Sequence, residues 1–169
     1  MLLKSRNIAY LGVLLAVNQV FIILSSIIKT NTLLLFSLAA LVIGIVIVEF
    51  GVKNGVLFYI ASSLLGFFLT TNQIEVVTYI LFFGMYSIVK YAIEKAAFSV
   101  KCAKLFELST KLIFFNLTAL CIYLLLREFA VIKLYWWLIL IAEISFILYD
   151  YAFGVFINYY ITKIKPKIK

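Results

Sequence analysis

Long apolar stretches separated by short polar segments run through the whole chain. A transmembrane helix needs about 20 consecutive, mostly apolar residues. At that length, the pattern predicts six helices, over residues 8–28, 32–48, 54–72, 75–93, 111–129 and 134–161. We therefore expect an all-α, polytopic membrane protein in which residues 1–169 form a single integral membrane domain.

The composition supports this fold class. Apolar residues make up 66% of the chain and charged residues 13%, whereas soluble domains contain about 45–50% and about 25%. Trp136 and Trp137 stand near the start of the last predicted helix, and Tyr159 and Tyr160 near its end. This spacing is typical of the aromatic belts found at the two membrane interfaces.

The residue types exclude several kinds of chemistry. The chain has no histidine, so imidazole-dependent catalysis, HExxH zinc sites and His-ligated haem lack an essential group. Asp150 is the one aspartate of the sequence, so an aspartyl dyad lacks its second carboxylate. The sequence also contains no Gly-x-x-x-x-Gly-Lys-Ser/Thr loop for ATP. We therefore expect a protein without enzymatic activity, with no catalytic residues, no metal and no cofactor.

The net charge of +8 is attributed to membrane orientation and not to nucleic-acid binding, because lysine and arginine collect on the cytoplasmic side of membranes. With the N-terminus inside, twelve basic residues are cytoplasmic and three, Lys29, Arg127 and Lys133, are outside. Both termini are therefore predicted to be cytoplasmic. The lysine-rich segment 90–111 is expected to form either an interfacial amphipathic helix on the lipid bilayer or a simple basic loop.

Ionisable residues inside the predicted helices are candidates for function, since each costs at least about 2.5 kcal/mol at the bilayer centre. Lys90 and Asp150 lie at similar depths and have opposite charges, which predicts a structural ion pair that Asn116 could join. Glu143 has no cation at its depth, so both a structural and a ligand-binding role stay open. The carboxylates of Glu143 and Asp150 are about 10 Å apart along the helix axis, too far to act as one catalytic pair.

Aromatic and polar residues near the predicted outer surface form a candidate substrate-binding site. A small aromatic or heterocyclic ligand could stack on Trp136 and place a donor near Glu143, under a cover of polar side chains. The alternative is that the tryptophans anchor the interface and bind nothing. The predicted substrate-binding residues are Asn72, Gln73, Tyr79, Tyr123, Arg127, Trp136 and Glu143.

The first predicted helix carries two further features. Gly12 and Ala16 form a small-xxx-small step, which lets another helix approach closely. The step serves either packing within the chain or docking against a separate membrane subunit. Asn18 and Gln19 are expected to bond to a neighbouring helix or to line a cavity.

Four segments of the chain carry a resemblance to a known family. They are 8–16 (IAYLGVLLA), 37–44 (SLAALVIG), 50–57 (FGVKNGVL) and 79–84 (YILFFG). These segments resemble the first four helices of the substrate-binding S components of energy-coupling factor (ECF) vitamin transporters, and the second half of the chain is similar in architecture.

The resemblance implies a subunit of the prokaryotic cytoplasmic membrane that captures a small micronutrient from outside. It also implies docking through Gly12 and Ala16 on a transmembrane T subunit, which works with cytoplasmic ATPase subunits. The size and helix count are similar to those of the rod-shape morphogenesis protein MreD as well, so a non-catalytic membrane scaffold is the alternative. An intramembrane enzyme that depends on Glu143 is a third interpretation.

Overall fold

The computed structural model of the chain describes residues 5–98, 103–127 and 136–168. These residues are almost entirely helical, with no strand among them, and they include six helices long and apolar enough to cross a membrane. The prediction of an all-α protein with six such helices is confirmed. In chain order, α1 to α6 are Ser5–Ile27, Thr32–Phe50, Val52–Leu69, Gln73–Ala97, Ala103–Leu126 and Trp136–Ile164.

The observed helix bounds differ most from the predicted ones within segment 90–111. α4 continues to Ala97, and α5 begins at Ala103, eight residues before the predicted start at 111. The described residues of the segment therefore belong almost entirely to two long helices, and they form neither a separate interfacial helix nor a basic loop. The predicted bounds stop next to charged residues, before Glu94 and at Lys111, whereas both of these residues form ion pairs inside the observed helices.

Residues 128–135 lie outside the described part of the chain. They contain Lys133, most of the predicted outer loop and the predicted start of the last helix. By its internal contacts the chain divides into two compact units, Met1–Ile88 and Val89–Lys169. We call them the N-terminal unit and the C-terminal unit.

In the N-terminal unit, α2 packs against both α1 and α3. Half of its membrane-length stretch (50%) is buried within the chain. Ala39 and Ala40 of α2 are fully buried, and such small side chains allow neighbouring helix backbones to approach closely. Gly51 then turns the chain into α3 with a φ of +83°, a left-handed conformation that favours glycine.

α4 contains a π-helical turn at Tyr79–Gly84. Gly84 packs directly against the ring of Tyr59 on α3, because a Cβ atom on Gly84 would lie 2.8 Å from Tyr59 Cε2. The Tyr59 hydroxyl donates a hydrogen bond of 2.9 Å to the Ile80 carbonyl oxygen. The turn is therefore supported by one aromatic side chain of α3, which needs a residue without a side chain opposite its ring.

The C-terminal unit contains helices with much less burial. In the membrane-length stretches of both α5 and α6, 11% of the residues are buried within the chain. The contact between these helices includes Phe115 and Phe146, whose rings stack with centroids 4.6 Å apart. The remaining surfaces are largely apolar and exposed, as expected for helices that face lipid.

Candidate functional site

Three uncharged side chains from three helices bond to one another inside the N-terminal unit. Asn18 comes from α1, Ser62 from α3 and Tyr79 from α4, and all three are fully buried. Ser62 Oγ lies 2.6 Å from Asn18 Oδ1 and 2.7 Å from Tyr79 Oη, and Asn18 Nδ2 lies 3.2 Å from Tyr79 Oη. We call this closed set of hydrogen bonds the neutral ring.

The direction of each hydrogen bond in the neutral ring follows from the available protons. Asn18 Oδ1 can only accept, so Ser62 donates its one proton to it. Tyr79 must then donate to Ser62, while Asn18 Nδ2 donates to Tyr79 Oη and, at 2.8 Å, to the Ala39 carbonyl oxygen of α2. Each hydroxyl donates one bond and accepts one, so the ring is internally satisfied and serves as a connection between helices.

Gln19 extends the neutral ring on one side. Its Nε2 atom donates 3.0 Å to the Ser62 carbonyl oxygen and is 3.4 Å from Asn18 Oδ1. Within the described part of the chain, its buried Oε1 atom has no hydrogen-bond partner. Of the two roles expected for Asn18 and Gln19, the structure shows bonding to neighbouring helices.

Four charged side chains from three helices meet inside the C-terminal unit. Lys90 and Glu94 belong to α4, Lys111 to α5 and Asp150 to α6. Lys90 contacts Asp150 Oδ1 and lies 3.0 Å from Glu94 Oε1, and Lys111 Nζ lies 3.0 Å from Glu94 Oε1 and 3.2 Å from Asp150 Oδ2. Each cation thus contacts both anions, and we call the set the charged ring.

The formal charges of the charged ring add to zero, which is what allows two lysines to be buried. Lys90 has additional partners: its Nζ atom is 3.3 Å from the Asp150 carbonyl oxygen and 5.7 Å from the centroid of the Phe153 ring. The carbonyl oxygen and the face of the aromatic ring both place negative charge density beside the buried amino group. The ring therefore holds three helices together by charge.

Sequence reasoning singled out the pair of Lys90 and Asp150, and the structure brings these two residues into contact. It missed Glu94 and Lys111. The i, i+4 spacing of Lys90 and Glu94 was an available signal. Lys111 had no comparable signal, because its partners are 17 and 39 residues away in sequence. Asn116 does not join this ring; its Nδ2 atom is 3.5 Å from Glu143 Oε1.

The predicted substrate-binding residues are distributed over both units. In the N-terminal unit, Asn72 Nδ2 donates 2.6 Å to Glu75 Oε1, and Gln73 is exposed. Tyr79 belongs to the buried neutral ring and not to an exposed rim. Depth along a helix was the basis of the prediction for Tyr79, and depth does not tell which face of the helix packs inward.

The remaining predicted residues belong to the C-terminal unit. Trp136 is 75% exposed at the start of α6, and Glu143 is half-buried seven residues later. The carboxylate of Glu143 forms no ion pair with the described residues, and it accepts a hydrogen bond from the amide of Asn116. Tyr123 is half-buried, and Arg127 is exposed at the end of α5.

Gly12 and Ala16 lie on an exposed face of α1. Apart from the neighbouring backbone of α1 itself, a Cβ atom added to Gly12 would meet no atom of the described residues within 4 Å. Among the described residues, therefore, no neighbouring helix packs closely against Gly12.

Within residues 5–98, 103–127 and 136–168, no three His, Cys, Asp or Glu side chains lie close enough together to hold a metal ion. No family model matches the sequence, and comparisons with curated proteins and with solved structures give no significant match.

Proposed function

We propose that the chain is the membrane-embedded, substrate-binding subunit of an importer of the ECF type. The observation that carries this proposal is the open small-residue step on α1. Gly12 and Ala16 are exposed, and no other part of the described chain fills the space beside Gly12. A partner helix can approach closest at such a step, and close approach is what stabilises helix pairs in lipid.

Other subunits would supply the energy for transport. The chain has no phosphate-binding loop for ATP, so a transmembrane T subunit would connect it to cytoplasmic ATPases. The T subunit would contact α1 at Gly12 and Ala16. In this arrangement the chain itself is not an enzyme.

Co-purification with the T subunit and ATPases encoded in the same genome tests the partner. Gly12→Leu and Ala16→Leu should each reduce recovery of the complex, because the added side chains hold the helices apart. Ala119→Leu is the matched control, since Ala119 is an exposed alanine on α5, and it should leave recovery unchanged. Full recovery with both α1 variants would contradict the proposal. Recovery with cell-shape proteins in place of an ATPase would favour the scaffold.

Support for a ligand comes from Glu143 and Trp136. The half-buried carboxylate of Glu143 accepts a long hydrogen bond of 3.5 Å from the Asn116 amide, and its oxygens can accept further hydrogen bonds. Trp136 lies two turns earlier on the same face of α6, and its exposed ring can stack on a flat ligand. The expected ligand is a small micronutrient with an aromatic or heterocyclic ring and a hydrogen-bond donor.

Mass spectrometry of a denatured extract of the purified protein would identify a ligand that survives purification. Tryptophan fluorescence, titrated with a panel of vitamins, then measures binding. Glu143→Gln should weaken binding, whereas Glu107→Gln, the same change on α5, should not. A fluorescence signal that no vitamin changes, together with an extract free of small molecules, would contradict the ligand assignment.

The proposal also includes the orientation in a prokaryotic cytoplasmic membrane, with both termini in the cytoplasm. The distribution of lysine and arginine supports it, with twelve on one side and three on the other. Single cysteines, introduced after Cys102 and Cys121 are replaced, test it by labelling intact cells with an impermeant reagent. A cysteine at Asn72 should react from outside, and one at Lys53 or Lys104 should react after lysis alone. Labelling at Lys104 from outside would contradict the orientation.

A further inference from the structure

One corner of the charged ring differs from the other three. Lys90 and Lys111 are buried, and the Asp150 side chain is 21% exposed, whereas the Glu94 side chain is 44% exposed. Glu94 also uses a single oxygen, Oε1, to contact both lysines at 3.0 Å. The two buried ammonium groups therefore converge on one anionic oxygen, which belongs to the most exposed side chain of the ring.

This arrangement can accept another anion in place of Glu94. If the Glu94 side chain moves into solvent, Lys90 and Lys111 keep only Asp150 as a counter-charge, and the ring carries a net charge of +1. An uncompensated charge in an apolar surrounding is costly, so an anionic oxygen from outside the chain would be stabilised there. Lysine ammonium groups bind phosphate oxygens well, with charge-assisted hydrogen bonds.

The position of the ring indicates where the anion would come from. Glu94 is three residues before Ala97, the end of α4, or about 4.5 Å along the helix axis. α4 and α5 are consecutive spanning helices, so the end of α4 and the start of α5 lie on the same side of the membrane. Two more exposed cations, Lys95 and Lys104, stand at these helix ends. The ends of spanning helices reach the headgroup layer, where lipid phosphates are concentrated.

We propose that Lys90 and Lys111 form a phosphate-binding site in which an oxygen of the phosphate replaces Glu94 Oε1. The depth of the ring favours the headgroup of an anionic phospholipid as the source of the phosphate. Free inorganic phosphate offers the same oxygens from the aqueous side. The site is independent of the transport proposal, since none of its residues belongs to the α1 step or to the predicted ligand pocket.

Native mass spectrometry of the full chain in an uncharged detergent tests the site, with phosphatidylglycerol, phosphatidylcholine or inorganic phosphate as the probe. The wild-type chain should retain phosphatidylglycerol more than phosphatidylcholine. Glu94→Gln removes the competing carboxylate and should tighten phosphatidylglycerol binding by roughly tenfold. The reason is that the phosphate no longer has to displace a charge-assisted hydrogen bond between Glu94 and the lysines. The double variant Glu94→Gln/Lys111→Gln leaves Lys90 and Asp150 as a pair without net charge, and it should bind less phosphatidylglycerol than the wild type.

Glu107→Gln is the matched control, because it makes the same change in charge on α5 with a side chain outside the charged ring. An equal gain from Glu107→Gln and Glu94→Gln would show a general electrostatic effect and overturn the proposal. Unchanged binding in Glu94→Gln, or full binding in the double variant, would overturn it as well. If Glu94→Gln is not recovered folded, the wild type and the neutral double variant still give the deciding comparison. Displacement of phosphatidylglycerol by inorganic phosphate would support the site with the free ion as its source, and resistance to displacement would support it with the lipid.

Discussion

In the N-terminal unit, three uncharged side chains close a fully buried ring, whereas in the C-terminal unit four charged side chains close a ring with one corner exposed. The neutral ring can be buried completely because each hydroxyl donates one bond and accepts one. The charged ring must offset the larger desolvation cost of its ions, and its carboxylates stay the more exposed members. The neutral ring is thus completely buried, whereas the charged ring keeps the side chain of Glu94 partly exposed to solvent.

The two units also differ in how much of their helices they bury. The membrane-length stretches of α1, α2 and α3 are 22%, 50% and 28% buried, compared with 11% in α5 and in α6. The N-terminal unit therefore gains stability mainly from close packing of small and aromatic residues. The C-terminal unit depends more on a few polar contacts and offers most of its helix surface to lipid. Four substitutions test this contrast, in order of decreasing effect.

Asp150→Asn should have the largest effect on stability. It leaves Lys90 and Lys111 buried with one carboxylate between them. Removing one partner from a buried set of ion pairs lowers the free energy of unfolding by roughly 3 kcal/mol. Unfolding in detergent by heat or denaturant would measure the loss. The neutral double variant Lys90→Gln/Asp150→Asn should lose less, because no net charge is left. An equal loss in both would show that packing, and not charge, is the main contribution of the ring.

Gly84→Ala compares the packing density of the two units. Its Cβ atom would lie 2.8 Å from the Tyr59 ring, and overpacking of this kind costs about 2 kcal/mol. Gly154→Ala makes the same change in α6, where the new Cβ atom would lie 3.8 Å from Lys90 Nζ, an ordinary contact. That variant should be unchanged or up to about 1 kcal/mol more stable, from helix propensity. Similar losses in the two thermal melts would contradict the packing contrast.

Tyr79→Phe should lower the stability by about 1 kcal/mol, the usual net value of a hydrogen bond in a satisfied network. The ring of Tyr79 stays in place, so the change removes the hydroxyl and not the packing. Tyr151→Phe is the control, since Tyr151 is exposed, and it should have no effect on the unfolding midpoint. A loss in Tyr79→Phe as large as that in Asp150→Asn would remove the distinction between the neutral and the charged ring.

Glu94→Gln should give the smallest effect, about 0.5 kcal/mol at low ionic strength in lipid-free detergent, because its side chain is 44% exposed, against 21% for Asp150, so water can take its place beside the two lysines. The loss should shrink in high salt, since exposed ion pairs are screened. Ser62→Ala, in the buried neutral ring, should cost the same at both ionic strengths. Unfolding curves at two salt concentrations measure both variants. A salt-dependent loss in Ser62→Ala would contradict the assignment of its bonds to an uncharged ring.

Helix number and type could be predicted from the sequence because the thickness of the bilayer sets the length of apolar sequence that a spanning helix needs. The contact of Lys90 with Asp150 was indicated by depth and opposite charge, two properties that follow from position along a helix. Glu94 and Lys111 could not be placed in the same way. Their contact depends on how α4, α5 and α6 are rotated about their own axes, which is fixed by packing between the helices and not by position along the chain.

The sequence by itself determined that the chain is all-α with six helices able to span a membrane, that it lacks histidine chemistry, and that it carries an excess of basic residues. Only the tertiary structure decided that Tyr79 is a buried member of the neutral ring and that Glu94 is shared by two lysines. The reason is physical: burial of an apolar segment depends on composition summed along the chain. A hydrogen bond or ion pair depends on a few ångströms between side chains far apart in sequence.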